Sequence, residues 1–168
     1  MVTMAPVIRN LRIDNLEAML EINDQGLPGT GKVSIEEMAA LLSIADLAIG
    51  WFDGENLRGF VICLSPNVDY GSLNYAWFNQ RYHEFVYVDR VAVADGYRGI
   101  GIGSELYASV LEFASTQNLP VAAEVSLNPP NPGSDKFHQR HGFTQLTAVD
   151  YGDKAVTMYI KRIKDSND

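Results

Sequence analysis

Residues 88–115 read VDRVAVADGYRGIGIGSELYASVLEFAS and constrain this chain more than any other stretch. An apolar, β-branched run ends at Asp95-Gly96, Arg98 follows, and glycines then stand at every second position: Gly99, Gly101 and Gly103. A helical pattern begins at once, with Leu106, Val110, Phe113 and Ala114 on one face. Glycine loses more backbone entropy on folding than any other residue, so three so close together need a reason. The first N–H groups of a helix lack intrahelical partners, and the helix dipole puts roughly half a positive charge there. Bare glycines let an anion reach those groups, and Arg98 adds a charge-assisted bond. A phosphate-bearing ligand at this strand-to-helix junction is the expectation.

The rest of the chain reads as strands separated by helices. APVIRNLR is a first strand, and Asp14 is placed to cap a helix with Leu16, Met19, Leu20 and Ile22 inward. Ser34 with Glu37 three residues on forms a capping box before a second helix. LAIGWF and LRGFVICLS form a hairpin about the turn Asp53-Gly54-Glu55-Asn56. A loop follows at about 66–83, dense in aromatics, and long unstructured loops are often functional. EFVYVDRVAVA and PVAAEVSL are strands, SDKFHQRHG is a short helix stopped by Gly142, and FTQLTAV and AVTMYIK close the chain as a hairpin. This order predicts a mixed α/β sheet with helices on both faces. With 168 residues and neither repeat nor linker, one domain over 1–168 is expected.

Several phosphate loops compete for the glycines. A Walker loop needs Lys then Ser/Thr after its last glycine, whereas Ser104-Glu105 follow Gly103. A dinucleotide fingerprint needs G-x-G-x-x-G, and its third glycine falls on Ser104 or Leu106, although Glu124 lies about 20 residues on. A plain flexible turn is the bland alternative. The third pattern, R/Q-x-x-G-x-G/A, fits Arg98-Gly99-Ile100-Gly101-Ile102-Gly103. It resembles the pyrophosphate loop of the GNAT family of acyl-CoA N-acyltransferases. Downstream, NPGSDKFHQRHGF resembles that family's N-x-x-A-x-x-x-Y-x-x-x-G-F segment, with Asn131, Ser134, Gly142 and Phe143 in the Asn, Ala, Gly and Phe places.

The resemblance implies a central, mixed, mostly antiparallel sheet of about seven strands flanked by four helices, with a splayed central strand pair. It implies acetyl-CoA as cofactor. The N–H groups of Gly99, Ile100, Gly101, Ile102, Gly103 and Ser104, beside Arg98, would hold the pyrophosphate. The backbone of Val91, Ala92 and Val93 would take the pantetheine arm, and Asn131 and Ser134 would contact the cofactor. The family often uses a tyrosine to protonate the departing thiolate, and His138 occupies that place here. Histidine titrates near neutrality and can donate a proton; packing is the other reading.

Acyl transfer to an amine also needs a base, because a free alkylamine is mostly protonated at neutral pH. Asp89, Glu84 and Glu124 are the candidates, directly or through water. Asp89 shares strand parity with Val91 and Val93. Tyr75, Trp77, Phe78 and Tyr82 of the aromatic loop, with the segment near 25–33, are expected where the acceptor enters; aromatic faces suit a cation. Packing or a dimer contact is the alternative there, and a homodimer is a family-level expectation.

Charge bounds the partners. Thirteen Lys and Arg against 21 Asp and Glu give a net charge of −8, which argues against nucleic acid. No apolar run approaches the ~18 residues of a membrane span. The segment MVTMAPVIRNLRIDN lacks a basic head before an apolar block, so no secretory signal is read and a cytoplasmic location is expected. The single cysteine, Cys63, sits among apolar residues and reads as inert; with His83, His138 and His141 it forms no metal-ligand pattern. The expected function is transfer of acetyl from CoA to the primary amine of a small molecule or an amino terminus, in a ternary complex. A non-catalytic acyl-CoA-binding regulatory module is the alternative from another class, and a dinucleotide-dependent oxidoreductase a third.

Overall fold

The computed structural model describes residues 5–163; residues 1–4, at the head of the N-terminal segment read above, and 164–168 lie outside that range. Seven strands form one sheet: β1 (Val7–Asn10), β2 (Leu47–Asp53), β3 (Asn56–Leu64), β4 (Val86–Val93), β5 (Val121–Asn128), β6 (Thr144–Asp150) and β7 (Ala155–Lys161). They hydrogen-bond in the order β1-β2-β3-β4-β5-β7-β6. The pairs β1/β2, β2/β3, β5/β7 and β6/β7 are antiparallel, while β4 and β5 run parallel, with Val86 opposite Val121 and Tyr87 opposite Ala122. The sheet is therefore mixed and mostly antiparallel, as expected.

Among the described residues there are five α-helices, not four: α1 (Leu16–Gln25), α2 (Ile35–Ile44), α3 (Leu73–Arg81), α4 (Ile102–Thr116) and α5 (Pro132–Arg140). The extra one, α3, lies in the segment expected to be an aromatic loop. Ser72 starts it, its hydroxyl accepting from the Tyr75 N–H at 3.2 Å. Tyr75 and Phe78 sit three residues apart, so one helical face carries both inward, while Tyr82 follows the helix in extended conformation. Asp14 does not cap α1 either. It lies in a one-turn 3-10 helix, Ile13–Asn15, which is closed by the Asn15 side chain accepting from the Arg12 N–H at 2.8 Å.

The chain divides into two compact units. One comprises the residues up to Leu64 together with Val88–Val110. In it α1 packs on α2 and β3, burying Leu16, Met19 and Ile22, and α2 buries Met38 and Leu41. The box of Ser34 and Glu37 is present at the start of α2. The hairpin turn falls where expected, with Asp53 paired to Asn56 around Gly54-Glu55. Along β4, Arg90 and Ala92 are buried while Asp89, Val91 and Val93 are half-buried, the period-two alternation of a strand.

The other unit comprises Ser65–Tyr87 and the chain from Leu111 onward. Its core combines Val121, Ala122, Ala123 and Val125 of β5 with Met158, Tyr159 and Ile160 of β7. Fully burying one such side chain contributes about 1.5–3 kcal/mol. Tyr75, Phe78, Phe85 and Tyr87 form a second cluster there, with Tyr75 and Tyr87 rings 5.1 Å apart. No described helix is long and apolar enough to cross a membrane.

Candidate active site

The glycine segment is a left-handed cradle. After β4, the Ala94 N–H donates to the Arg58 carbonyl at 2.8 Å and the Tyr97 N–H to that of Ala94 at 3.0 Å. Gly96, Gly99 and Gly101 then have φ of +83°, +79° and +96°, which only glycine adopts cheaply. A Cβ added at Gly99 or Gly101 would meet no atom within 4 Å. These glycines therefore are not there to let protein groups pack closely; they border open space. The first bond of α4 runs from the Glu105 N–H to the Gly101 carbonyl at 3.0 Å. The N–H groups of Ile102, Gly103 and Ser104 precede it and lie at the positive end of the helix. Left-handed backbone, free space and helix N–H donors together suit a pyrophosphate. The nearby anion, Glu105, is exposed and takes a hydrogen bond from the Trp51 indole N–H.

The three candidate bases differ sharply. Glu84 is exposed on the bend before β4. The Asp89 side chain is 4% exposed and ion-paired at 2.7 Å with Arg90, itself 7% exposed. That carboxylate is committed to holding a buried guanidinium, which also donates to Asn23 Oδ1 at 3.1 Å and the Gly31 carbonyl at 3.0 Å. Glu124 is half-buried on β5, and the hydroxyl of buried Tyr87 lies 2.7 and 2.8 Å from its two oxygens. Of the three, Glu124 alone combines access with a hydrogen bond that orients the carboxylate. Tyr87 escaped the sequence reading because the pair is separated by 37 residues and carries no local signal. Tyr151, also missed, donates to Asn74 Oδ1 at 2.7 Å. Burial, then the Glu124 charge, push its hydroxyl pKa up against the opposing pull of Arg81.

The second motif forms α5. Asn131 caps it, its side-chain oxygen accepting from the Ser134 N–H at 3.3 Å. Gly142, with φ of +85°, ends it: its N–H bonds the Gln139 carbonyl and that of Phe143 bonds the His138 carbonyl, both at 3.0 Å. His138 is buried, stacked 5.6 Å from Tyr159 and edge-on to Phe143. Its Nδ1 lies 2.8 Å from the Ser134 carbonyl, an oxygen that only accepts, so Nδ1 carries the proton. Burial lowers its pKa, with the Ser134 bond opposing. The ring contacts and the Ser134 bond tie His138 into the packing of α5.

The aromatic residues separate into two groups. Tyr75 and Phe78 are core, and the Tyr75 hydroxyl donates to the Ser65 carbonyl and accepts from the Val68 N–H. Trp77 and Tyr82 are half-buried, and the Arg81 guanidinium lies 4.1 Å over the Trp77 ring. Cys63 is fully buried and its thiol pKa is pushed up, so it is no nucleophile. Among the described residues, no group of His, Cys, Asp and Glu is arranged to hold a metal ion.

No curated protein matches the sequence. Among solved structures, Ard1 from Thermoplasma volcanium superposes with a TM-score of 0.78 at 16% identity, covering 96% of this chain and 100% of that one. Arabidopsis thaliana NAA60 with a bisubstrate analogue gives 0.75 at 17%, covering 96% and 100%. Arabidopsis thaliana Naa50 with the bisubstrate analogue CoA-Ac-MVNAL gives 0.72 at 20%, covering 95% and 100%. Identities this low speak for fold alone. The sequence itself speaks for more, because residues 30–143 match the model of the Acetyltransferase (GNAT) family. That match takes in more than half the chain and both segments built around the glycines, and on it this protein belongs to the GNAT acetyltransferases.

Proposed function

We propose that this protein acts as a single catalytic domain, transferring the acetyl group of acetyl-CoA directly to a primary amine in a ternary complex. The observation that carries the reading is the open, left-handed backbone at Gly99 and Gly101 at the head of α4, in a GNAT chain. Acetyl-CoA supplies an acetyl group activated as a thioester. The N–H groups of residues 99–104 bind its pyrophosphate, and the main chain of Val91, Ala92 and Val93 takes the pantetheine arm. The Val93 N–H polarises the carbonyl that is attacked. Asn131 contributes its carboxamide nitrogen, since its oxygen already caps α5.

Glu124 is the base that removes the amine proton, directly or through one water, while Tyr87 fixes the carboxylate. With acetyl-CoA bound, the proton that Glu124 takes from the amine would return through water to the departing thiolate, leaving the carboxylate free again. An amino terminus is favoured over a small free amine as acceptor: the Naa50 analogue carries a peptide, and a similar Escherichia coli enzyme is a ribosomal-protein-S18-alanine N-acetyltransferase.

The test follows free thiol in mixtures of protein, acetyl-CoA and a panel of short peptides and small amines. Amine-dependent thiol release, falling ~10²–10⁴-fold in kcat in Glu124→Gln with CoA affinity kept, is expected. Tight CoA binding without turnover on any amine would replace the enzyme with an acyl-CoA-binding module.

A further inference from the structure

The last turn of α1 is fastened to the segment that feeds the glycine loop. Gln25, the final residue of α1, accepts from the Asp95 N–H through its side-chain oxygen at 2.8 Å. Its main-chain carbonyl accepts from Arg98 Nη2 at 2.9 Å. Arg98 Nε donates to the Val93 carbonyl at 3.2 Å, and its Nη2 stands 3.4 Å from the Asp95 carboxylate. Two residues earlier on the helix, buried Asn23 joins the Arg90 guanidinium and the Gly31 carbonyl. Residues 94–98, left-handed at Gly96, thus leave β4 braced from outside, immediately before the backbone turns left-handed again at Gly99 and Gly101.

Two consequences follow from chemistry. A glycine-rich segment has many conformations to lose, and binding an anion on its N–H groups costs less if the segment is ordered beforehand. And Arg98, whose Nε and Nη2 reach two protein carbonyls and a carboxylate, ties the same segment to the end of α1. We infer that Gln25 is a positioning residue for the cofactor loop, and that Arg98 acts through the same brace. The inference rests on the acetyl-CoA reading above. It gives a cofactor role to a side chain 70 residues away in sequence, on a helix outside the glycine motif.

Calorimetry with CoA and hydrogen exchange of the ligand-free protein test it on wild type, Gln25→Ala, Gln25→Glu, Arg98→Met and Gln25→Ala/Arg98→Met. Alanine is the best helix former, so Gln25→Ala leaves α1 intact. Loss of one net hydrogen bond predicts CoA binding roughly fivefold weaker in Gln25→Ala, with KM for acetyl-CoA raised and kcat unchanged. Amides of residues 94–101 exchange faster in that variant, and Gln25→Glu, which keeps the accepting oxygen, restores affinity. Because both residues serve one brace, the double variant binds little worse than Arg98→Met. CoA affinity and loop exchange unchanged in Gln25→Ala, with wild-type binding intact, would overturn this inference alone. So would fully additive losses in the double variant. A wild-type protein that bound no CoA would remove the acetyl-donor reading and this inference with it.

Discussion

Gly54 and Gly101 share a left-handed backbone, with φ of +62° and +96°, and open space where a Cβ would go. They differ in what that space is for. Alanine at either position costs ~1–2 kcal/mol of backbone strain, so Gly54→Ala and Gly101→Ala should lower stability alike. Only Gly101→Ala should weaken CoA binding, by more than about tenfold, since bulk there meets the phosphates. Paired denaturation and calorimetry separate the two effects, and equal CoA affinity in both variants would detach the cradle from the cofactor. His138 offers a second residue-scale check. Burial holds its pKa below the usual histidine value, so the unfolded chain binds a proton that the folded chain refuses. That contribution to stability is complete above about pH 6.5 and is lost as pH falls below it. The Tm of wild type should therefore drop more steeply between pH 7 and 5 than that of His138→Phe, which keeps the stack on Tyr159. Parallel slopes would remove His138 from the acid response.

At the scale of elements, α3 depends on its first residue. Ser72 satisfies an orphan N–H at its start, and Ser72→Ala should cost ~1 kcal/mol and lower Tm by ~2–4 °C. Thermal scans of the variant check this; an unchanged Tm would mean that the aromatic packing alone holds α3. Helix and cap leave a local signal in Ser72 and the three-residue spacing of Tyr75 and Phe78, but rings that pack and rings that bind look alike in a sequence. Elsewhere local signals served well. The box at Ser34, the hairpin at Gly54-Glu55 and the stop at Gly142 each use residues within a few positions of one another, where the chain has no freedom to decide otherwise. The pairs that organise the site are of another kind. Tyr87 with Glu124, and Gln25 with Asp95, are joined only by the fold, and neither partner marks the other in the sequence. Parity grouped Asp89 with Val91 and Val93, but its side chain is buried and paired with Arg90, which claims its charge.

For the whole molecule, the net charge of −8 acts on a cofactor that is itself an anion. Long-range repulsion slows the encounter, and salt screens it within ~10 Å at 0.1 M. The association rate constant for CoA should therefore rise between 10 and 150 mM salt, as the Debye length shrinks from about 30 Å to about 8 Å. Stopped-flow fluorescence can follow it, because Trp51 is hydrogen-bonded to Glu105 in the first turn of α4. A rate that falls with salt would mean that the local positive end of α4 governs the approach.

The division of the chain has a consequence for its descent. Each compact unit is assembled from two separated segments; of the three junctions, Leu64–Ser65 falls at the end of β3, while Tyr87–Val88 and Val110–Leu111 fall inside β4 and α4. No single genetic crossover, wherever placed, passes both units whole to a recombinant. Chimaeras between relatives should survive only when the parents already agree along β4 and α4. The glycine segment that joins the ends of those two elements would travel with them.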